Sequence, residues 1–282
     1  MILFQYFIAD VLFRVEVDDK FIIAHDNAFR LQNAESGFAA GGAYMNVCCK
    51  VDYGVSHGSN PGKSPISIEK QGDAFRILMC DESGGGAHVV WADECFQNAT
   101  ITSSFAQKLP FEGSAGEVLF RTTILLRQGI VIHSAAVDCS GSGIIFSAPS
   151  GTGKSTQANL WRKHKGAVVL NGDRPALRVV DGRVYVYGTP WSGSSPDSVN
   201  KSSPLKAIVM LEQSDANSIR QLEKPEAVRY LMPRCYLPYG VADLLERAVD
   251  NMDSIIERVP VYLLRCRPDA EAVEITGKCL NL

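Results

Sequence analysis

The most constraining stretch of this 282-residue chain is an apolar run, Ile144-Ile145-Phe146-Ser147. It leads straight into Ala148-Pro149-Ser150-Gly151-Thr152-Gly153-Lys154-Ser155-Thr156. Gly153-Lys154-Ser155 closes a pattern of the Walker A type, G-x-x-x-x-G-K-[ST], with Ala148 in the first position. Alanine there loses only the easy access to φ > 0 that glycine has. Gly151 and Gly153 let backbone N–H groups turn inward around phosphate oxygens. A helix starting near Lys154 aims its positive end at the same charge. The Lys154 ammonium can bridge the β- and γ-phosphates, and the Ser155 hydroxyl can ligate Mg²⁺. The helix-compatible stretch Ser155 to His164 follows, which completes the strand–loop–helix order of a P-loop. Ser150, Gly151, Thr152, Gly153, Lys154, Ser155 and Thr156 are therefore the candidate nucleotide-binding residues.

A second element comes at once. Ala167-Val168-Val169-Leu170 reads as a buried strand, with Asn171-Gly172-Asp173-Arg174 at its end. A carboxylate after such a strand serves either as a partner of Mg²⁺ or as a base for an attacking hydroxyl. The bland alternative is that Asp173 only caps the next turn. Further on, Trp191 and Ser192 to Ser195 read as a mobile loop on the acceptor side. Its tryptophan either stacks on a substrate or is pinned to the core. Arg220, Arg229 and Arg234 can stabilise phosphate or serve as solvated helix charges.

Composition sets the bounds. The chain is 46% hydrophobic and 21% charged, ordinary values that exclude collagen-like and wholly disordered readings. The net charge of −3 argues against a dedicated nucleic-acid binder. It is unevenly spread: residues 1–110 carry 8 Lys and Arg against 13 Asp and Glu, residues 111–282 carry 20 against 18. An anionic ligand belongs with the second part. The eight cysteines include no CxxC pair and no zinc spacing. No signal peptide and no membrane span are legible, so a reduced, cytoplasmic protein without a membrane partner is expected.

The first hundred residues read as short strands: Phe4 to Val17, Lys20 to Ala24, Ala74 to Met79 and Ala87 to Trp91. Turns separate them at Asp18-Asp19, Ser56 to Lys63 and Ser83 to Gly86. His25, His57 and His88 are scattered and read as surface or packed histidines. Beyond residue 112 a helix is expected over Ser114 to Arg127. Then come a strand from Ile130 to Asp138, paired as a hairpin with Ile144 to Ser147, and strands at Val184 to Tyr187 and Leu205 to Leu211. Helices are expected at Glu226 to Met232 and, most clearly, Val241 to Val259. Val261 to Arg265 reads as a strand, and Asp269 as the cap of a last helix. The expected organisation is a β-rich accessory domain over 1–110 and a nucleotide-binding domain over 111–282, α/β with α+β character in part.

With these residues in hand, the chain resembles a family. His133, the loop from Ser150 to Thr156, Asp173 and the run Gly188-Thr189-Pro190-Trp191-Ser192-Gly193 resemble the HPr kinase/phosphorylase group. That group is related to the ATP-dependent phosphoenolpyruvate carboxykinases. The resemblance covers about residues 115–280. It implies a P-loop kinase domain of that type, ATP and Mg²⁺ as cofactors, and transfer of the γ-phosphoryl group to a serine-type hydroxyl of a protein, peptide or small molecule. It implies that Lys154, Asp173 and His133 act in catalysis and that Ser155 and Asp173 hold the metal. Arg174, Trp191 and Ser192 are the expected substrate-side residues, and the resemblance implies that copies of the chain can associate as a homo-oligomer. One departure stands out: HPr kinases carry two adjacent aspartates here, whereas this chain has Gly172-Asp173-Arg174. Two alternatives stay open. One is a nucleotide-binding sensor or scaffold without catalysis; the other is a small-metabolite kinase of the adenylylsulfate kinase type.

Overall fold

A computed structural model describes residues 1–23, 27–31, 44–54, 66–80, 87–106 and 108–282. The candidates His25 and His57 and the turns expected at Ser56 to Lys63 and Ser83 to Gly86 lie outside the described residues. The chain divides into two compact units. The first holds Met1–Leu126 and Pro238–Glu246, the second Arg127–Leu237 and Arg247–Leu282.

In the first unit the strands are β1 (Ile2–Ile8), β2 (Val11–Val17), β3 (Tyr44–Val51), β4 (Ile66–Gln71), β5 (Ala74–Cys80), β6 (Ala87–Asp93) and β7 (Asn98–Ser103). They form one sheet in the order β1-β2-β3-β7-β6-β5-β4. β2–β3 and β3–β7 pair in parallel; the other neighbours are antiparallel. β2 shows why: Val11, Phe13, Val15 and Val17 are buried, while Arg14 and Glu16 between them are exposed. Alternation of this kind puts one apolar face on the core. Helix α1 (Ser114–Thr123) belongs to this unit, although it was expected at the head of the second part. Its Phe120 ring lies 6.2 Å from Phe13, and Phe111 of the preceding turn lies 5.4 Å from the same ring. The stretch Ile124–Arg127 is a 3-10 turn rather than more α-helix.

Residues 20–23 are not a strand. The amide of Lys20 donates to Asp18 Oδ1 at 3.1 Å and that of Phe21 to Asp18 O at 3.2 Å, so the turn uses up the donors a ladder would need.

In the second unit the strands are β8 (Gly129–Val131), β9 (Ser134–Cys139), β10 (Ser142–Ser147), β11 (Val168–Asn171), β12 (Ala176–Val180), β13 (Arg183–Tyr187), β14 (Ser202–Gln213), β15 (Ser218–Gln221) and β16 (Val261–Cys266). The main order is β11-β9-β10-β14-β13-β12-β8, with β16 on β14 and β15 on β16. β10, β14 and β16 run parallel, so their carboxyl ends lie together. The helices are α2 (Lys154–Lys165), α3 (Lys224–Leu231) and α5 (Ala270–Leu280), while α4 (Ala242–Arg258) contributes residues to both units. Ile144, Phe146, Val209 and Leu264 of the sheet share one core cluster with Ala158 and Trp161 of α2 and Val273 of α5. Trp161 is fully buried, its ring 6.0 Å from Phe146. Truncating such a side chain to alanine costs about 3–5 kcal/mol, so this packing firmly seats α2 against the strand that precedes it.

The continuous strand expected over Ile130 to Asp138 is in fact two. The chain leaves the ladder at Ile132-His133, where the amide of Ile132 donates to Pro175 O and that of His133 to Arg234 O. β9 then turns into β10 through Ser140-Gly141, both at positive φ, the conformation a two-residue hairpin turn requires. Among the described residues, no helix is long and apolar enough to cross a membrane.

Candidate functional site

The site lies in the second unit, where β10 ends and α2 begins. Gly151 and Gly153 have φ of 79° and 117°, a region that costs most side chains energy. Gly153 is also the N-cap of α2. The first intrahelical bond runs from the Gln157 amide to Gly153 O, so the amides of Lys154, Ser155 and Thr156 have no helical acceptor. That is the arrangement a phosphate oxygen can use.

Lys154 is buried, 8% exposed, and its ammonium donates to Ala148 O at 3.3 Å and Pro149 O at 3.4 Å. The side chain thus folds back along its own loop. Burial pulls its pKa below the ordinary lysine value; the Arg234 charge acts in the same direction, and Asp173 opposes both. Ser155 and Thr156 are exposed at the start of the helix.

Asp173 stands across the cleft. His133 Nε2 lies 3.1 Å from its Oδ1 and Arg174 Nε donates to Oδ2 at 3.1 Å. The His133 hydrogen bond first, helped by the charges of Arg174 and Lys154, holds this carboxyl below the usual aspartate value against the opposing effect of burial. Asn171 fixes the backbone there. It is fully buried, and its Oδ1 accepts from the amides of Asp173 and Arg174 at 2.9 and 2.6 Å. Its Nδ2 donates to Thr189 O at 2.9 Å and Trp191 O at 3.2 Å. This residue was missed in the sequence. An asparagine two residues before an aspartate at a strand end is the signature of an Asx turn, and would have found it.

Three clefts open on this loop, and Gly151 lines all of them. One, of about 580 Å³, brings Lys154, Ser155 and Thr156 together with His133 and Asp173. It also reaches Arg162 of α2, which bonds Asp197 at 2.5 Å, a pair that sequence reasoning did not single out. The second, of about 640 Å³, joins Ala148 to Thr152 with Glu212, Arg229, Tyr230 and Arg234. The third, of about 530 Å³, lies at the carboxyl ends of β14 and β16, with Gln157, Gln213, Ser214, Cys266 and Arg267 on its walls.

His133 is not on a strand but in the break between β8 and β9. Trp191 is buried, 7% exposed, so it is pinned to the core and does not offer a stacking face. Ser192 donates to Ser195 O at 2.7 Å, closing the small loop on itself. Arg174 turns to Asp173, with its guanidinium 5.8 Å from the Tyr236 ring. Gly193, at φ 60°, lies so close to Asp173 that a Cβ there would collide with the carboxylate. Arg220 is held by Glu226 at 2.8 Å.

No protein-family model matches the chain, and no curated protein matches it. Among solved structures, the HPr(Ser) kinase/phosphatase from Coxiella burnetii is similar at 12% identity and a TM-score of 0.33. The match covers 54% of this chain and 95% of that one. The likeness is distant, and the reading of the site rests on its own geometry.

Proposed function

We propose that the chain binds ATP with Mg²⁺ and transfers the γ-phosphoryl group to a serine-type hydroxyl of a protein, peptide or small molecule. The observation that carries this reading is the meeting of Lys154 and the open amides of α2 with the His133–Asp173 pair in one cleft. The donor set suits both groups. Backbone amides and an ammonium suit phosphate. The Ser155 hydroxyl and the Asp173 carboxylate are the hard oxygen donors that Mg²⁺ takes beside phosphate and water. Each Asp173 oxygen has one bond in place and a lone pair to spare. Mg²⁺, when bound, neutralises charge on the phosphate oxygens.

The chain's own residues divide the work. Lys154 leaves its loop carbonyls for the β- and γ-phosphates. Asp173 takes the proton of the acceptor hydroxyl as the acceptor oxygen bonds to phosphorus and the bond to the β-phosphate oxygen breaks, leaving ADP. His133 orients Asp173. The nucleoside lies toward the third cleft, at the carboxyl ends of the parallel strands, where ligands of α/β sheets generally bind.

The test is incubation with γ-labelled ATP–Mg²⁺ and cell extract, read for labelled proteins and small molecules. Label is expected on an acceptor with the native chain, and none with Lys154→Ala. Asp173→Asn should keep ATP binding and lose transfer. No ATP binding by the native chain would sink the reading. One observation favours a second reading, a nucleotide sensor without catalysis: both Asp173 oxygens are already partnered, and one partner is the arginine that stands in place of a second acid. ATP binding with no transfer to any component of the extract would support it.

A further inference from the structure

We infer that Arg234 is a second anion-binding residue of this site, contacting the terminal phosphoryl group of a nucleoside triphosphate. The inference rests on the nucleotide reading above and adds a residue to it. Arg234 lies in the short turn after α3 and lines the same cleft as Ala148 to Thr152. Its guanidinium has no hydrogen bond or ion pair among the described residues, whereas Arg220 and Arg265 of the same unit are held by Glu226 and Glu212.

Its backbone is fixed to the site. Arg234 O accepts from the His133 amide at 2.8 Å, and the Ser134 amide donates to Asp173 O at 3.0 Å. Cys235 forms a bridge with Ile132, and the Tyr236 amide donates to Val131 O at 3.1 Å. The break between β8 and β9 therefore ties Arg234, His133 and Asp173 into one backbone unit. The positive charge of Arg234 bears on Lys154. Two cations held at one loop repel each other until an anion lies between them, and a planar guanidinium suits phosphate oxygens. The diphosphate is held by the loop amides and Lys154; Arg234 supplies contacts only when a third phosphate is present.

The test is isothermal titration of the full chain with Mg²⁺–ATP and Mg²⁺–ADP. Arg234→Gln should weaken ATP binding by about tenfold or more, the usual worth of a charged hydrogen bond, and leave ADP binding within about twofold. Arg234→Lys should recover part of the difference, and it carries the test if the glutamine variant melts well below the native chain. If the variants weaken ATP and ADP equally, or neither, Arg234 is not a terminal-phosphate contact even though nucleotide binding stands. If the native chain binds neither nucleotide, this inference falls together with the nucleotide reading.

Discussion

At the scale of single residues, Asp173 is where the charges of the site are balanced. Its folded pKa lies below the unfolded value because the ionised form is held by His133, Arg174 and Lys154. The stabilisation this brings is complete above the unfolded pKa of about 4 and is lost as pH falls through the folded value. Asp173→Asn is therefore expected to lower the melting temperature at pH 7, with the gap to the native chain closing in acid below about pH 4. A gap that is constant with pH would contradict it. How legible these residues were depends on how local their signals are. Lys154 and Ser155 sit inside one contiguous pattern, and Asp173 follows on the next strand. Arg162 and Asp197 are brought together by the fold across a stretch with no common motif, and no spacing rule points to them. The composition of the Trp191 loop was visible. Its burial was not, since Asn171, 20 residues earlier at the end of another strand, holds the Trp191 backbone.

At the scale of elements, the amphipathic pattern of α4 and the cap at Asp269, which accepts from the Ala272 amide at 3.1 Å, were legible because both are local. The break between β8 and β9 was not. The apolar run there is continuous in sequence, and the bonds that interrupt it come from Pro175 and Arg234. β12 was passed over although its signal is present: Asp181-Gly182, both at positive φ, is a two-residue hairpin turn that requires a strand on each side. In the first unit, β6 places His88 against Phe105, 4.9 Å between rings, and its Nδ1 is buried with no hydrogen-bond partner among the described residues. Burial pushes its pKa down to about 4. Here the unfolded chain takes up the proton first, so stability falls as pH drops from about 6.5 toward 4 and levels off below. His88→Phe should flatten that part of the stability–pH profile, as followed by chemical denaturation. A profile unchanged by the substitution would show that His88 does not carry it.

At the scale of the whole molecule, the sequence suggested a boundary at 110, drawn from the change of element pattern near residue 112, whereas the compact units divide at 126/127 and exchange a second segment, 238–246. The element pattern could not find this, since the returning segment is only nine residues long and is defined by what it packs on. Gly240 presses against Ile68 O so closely that a Cβ would collide, and Asp243 pairs with Lys70 at 3.3 Å. The second unit is likewise completed late, by β16 and α5. A chain cut after Leu237 loses the strand that pairs with β14 from Ile208 to Gln213 and exposes that edge. Such a fragment is expected to aggregate, which size-exclusion chromatography would show. A monomeric fragment with native helix content would refute this. The interleaving also bears on inheritance. Neither unit is one uninterrupted stretch of coding sequence, so a single recombination breakpoint cannot exchange one of them whole. Three coordinated crossovers would be needed, at 126/127, 237/238 and 246/247, and this tends to pass the β-rich unit and its partner down a lineage as one gene.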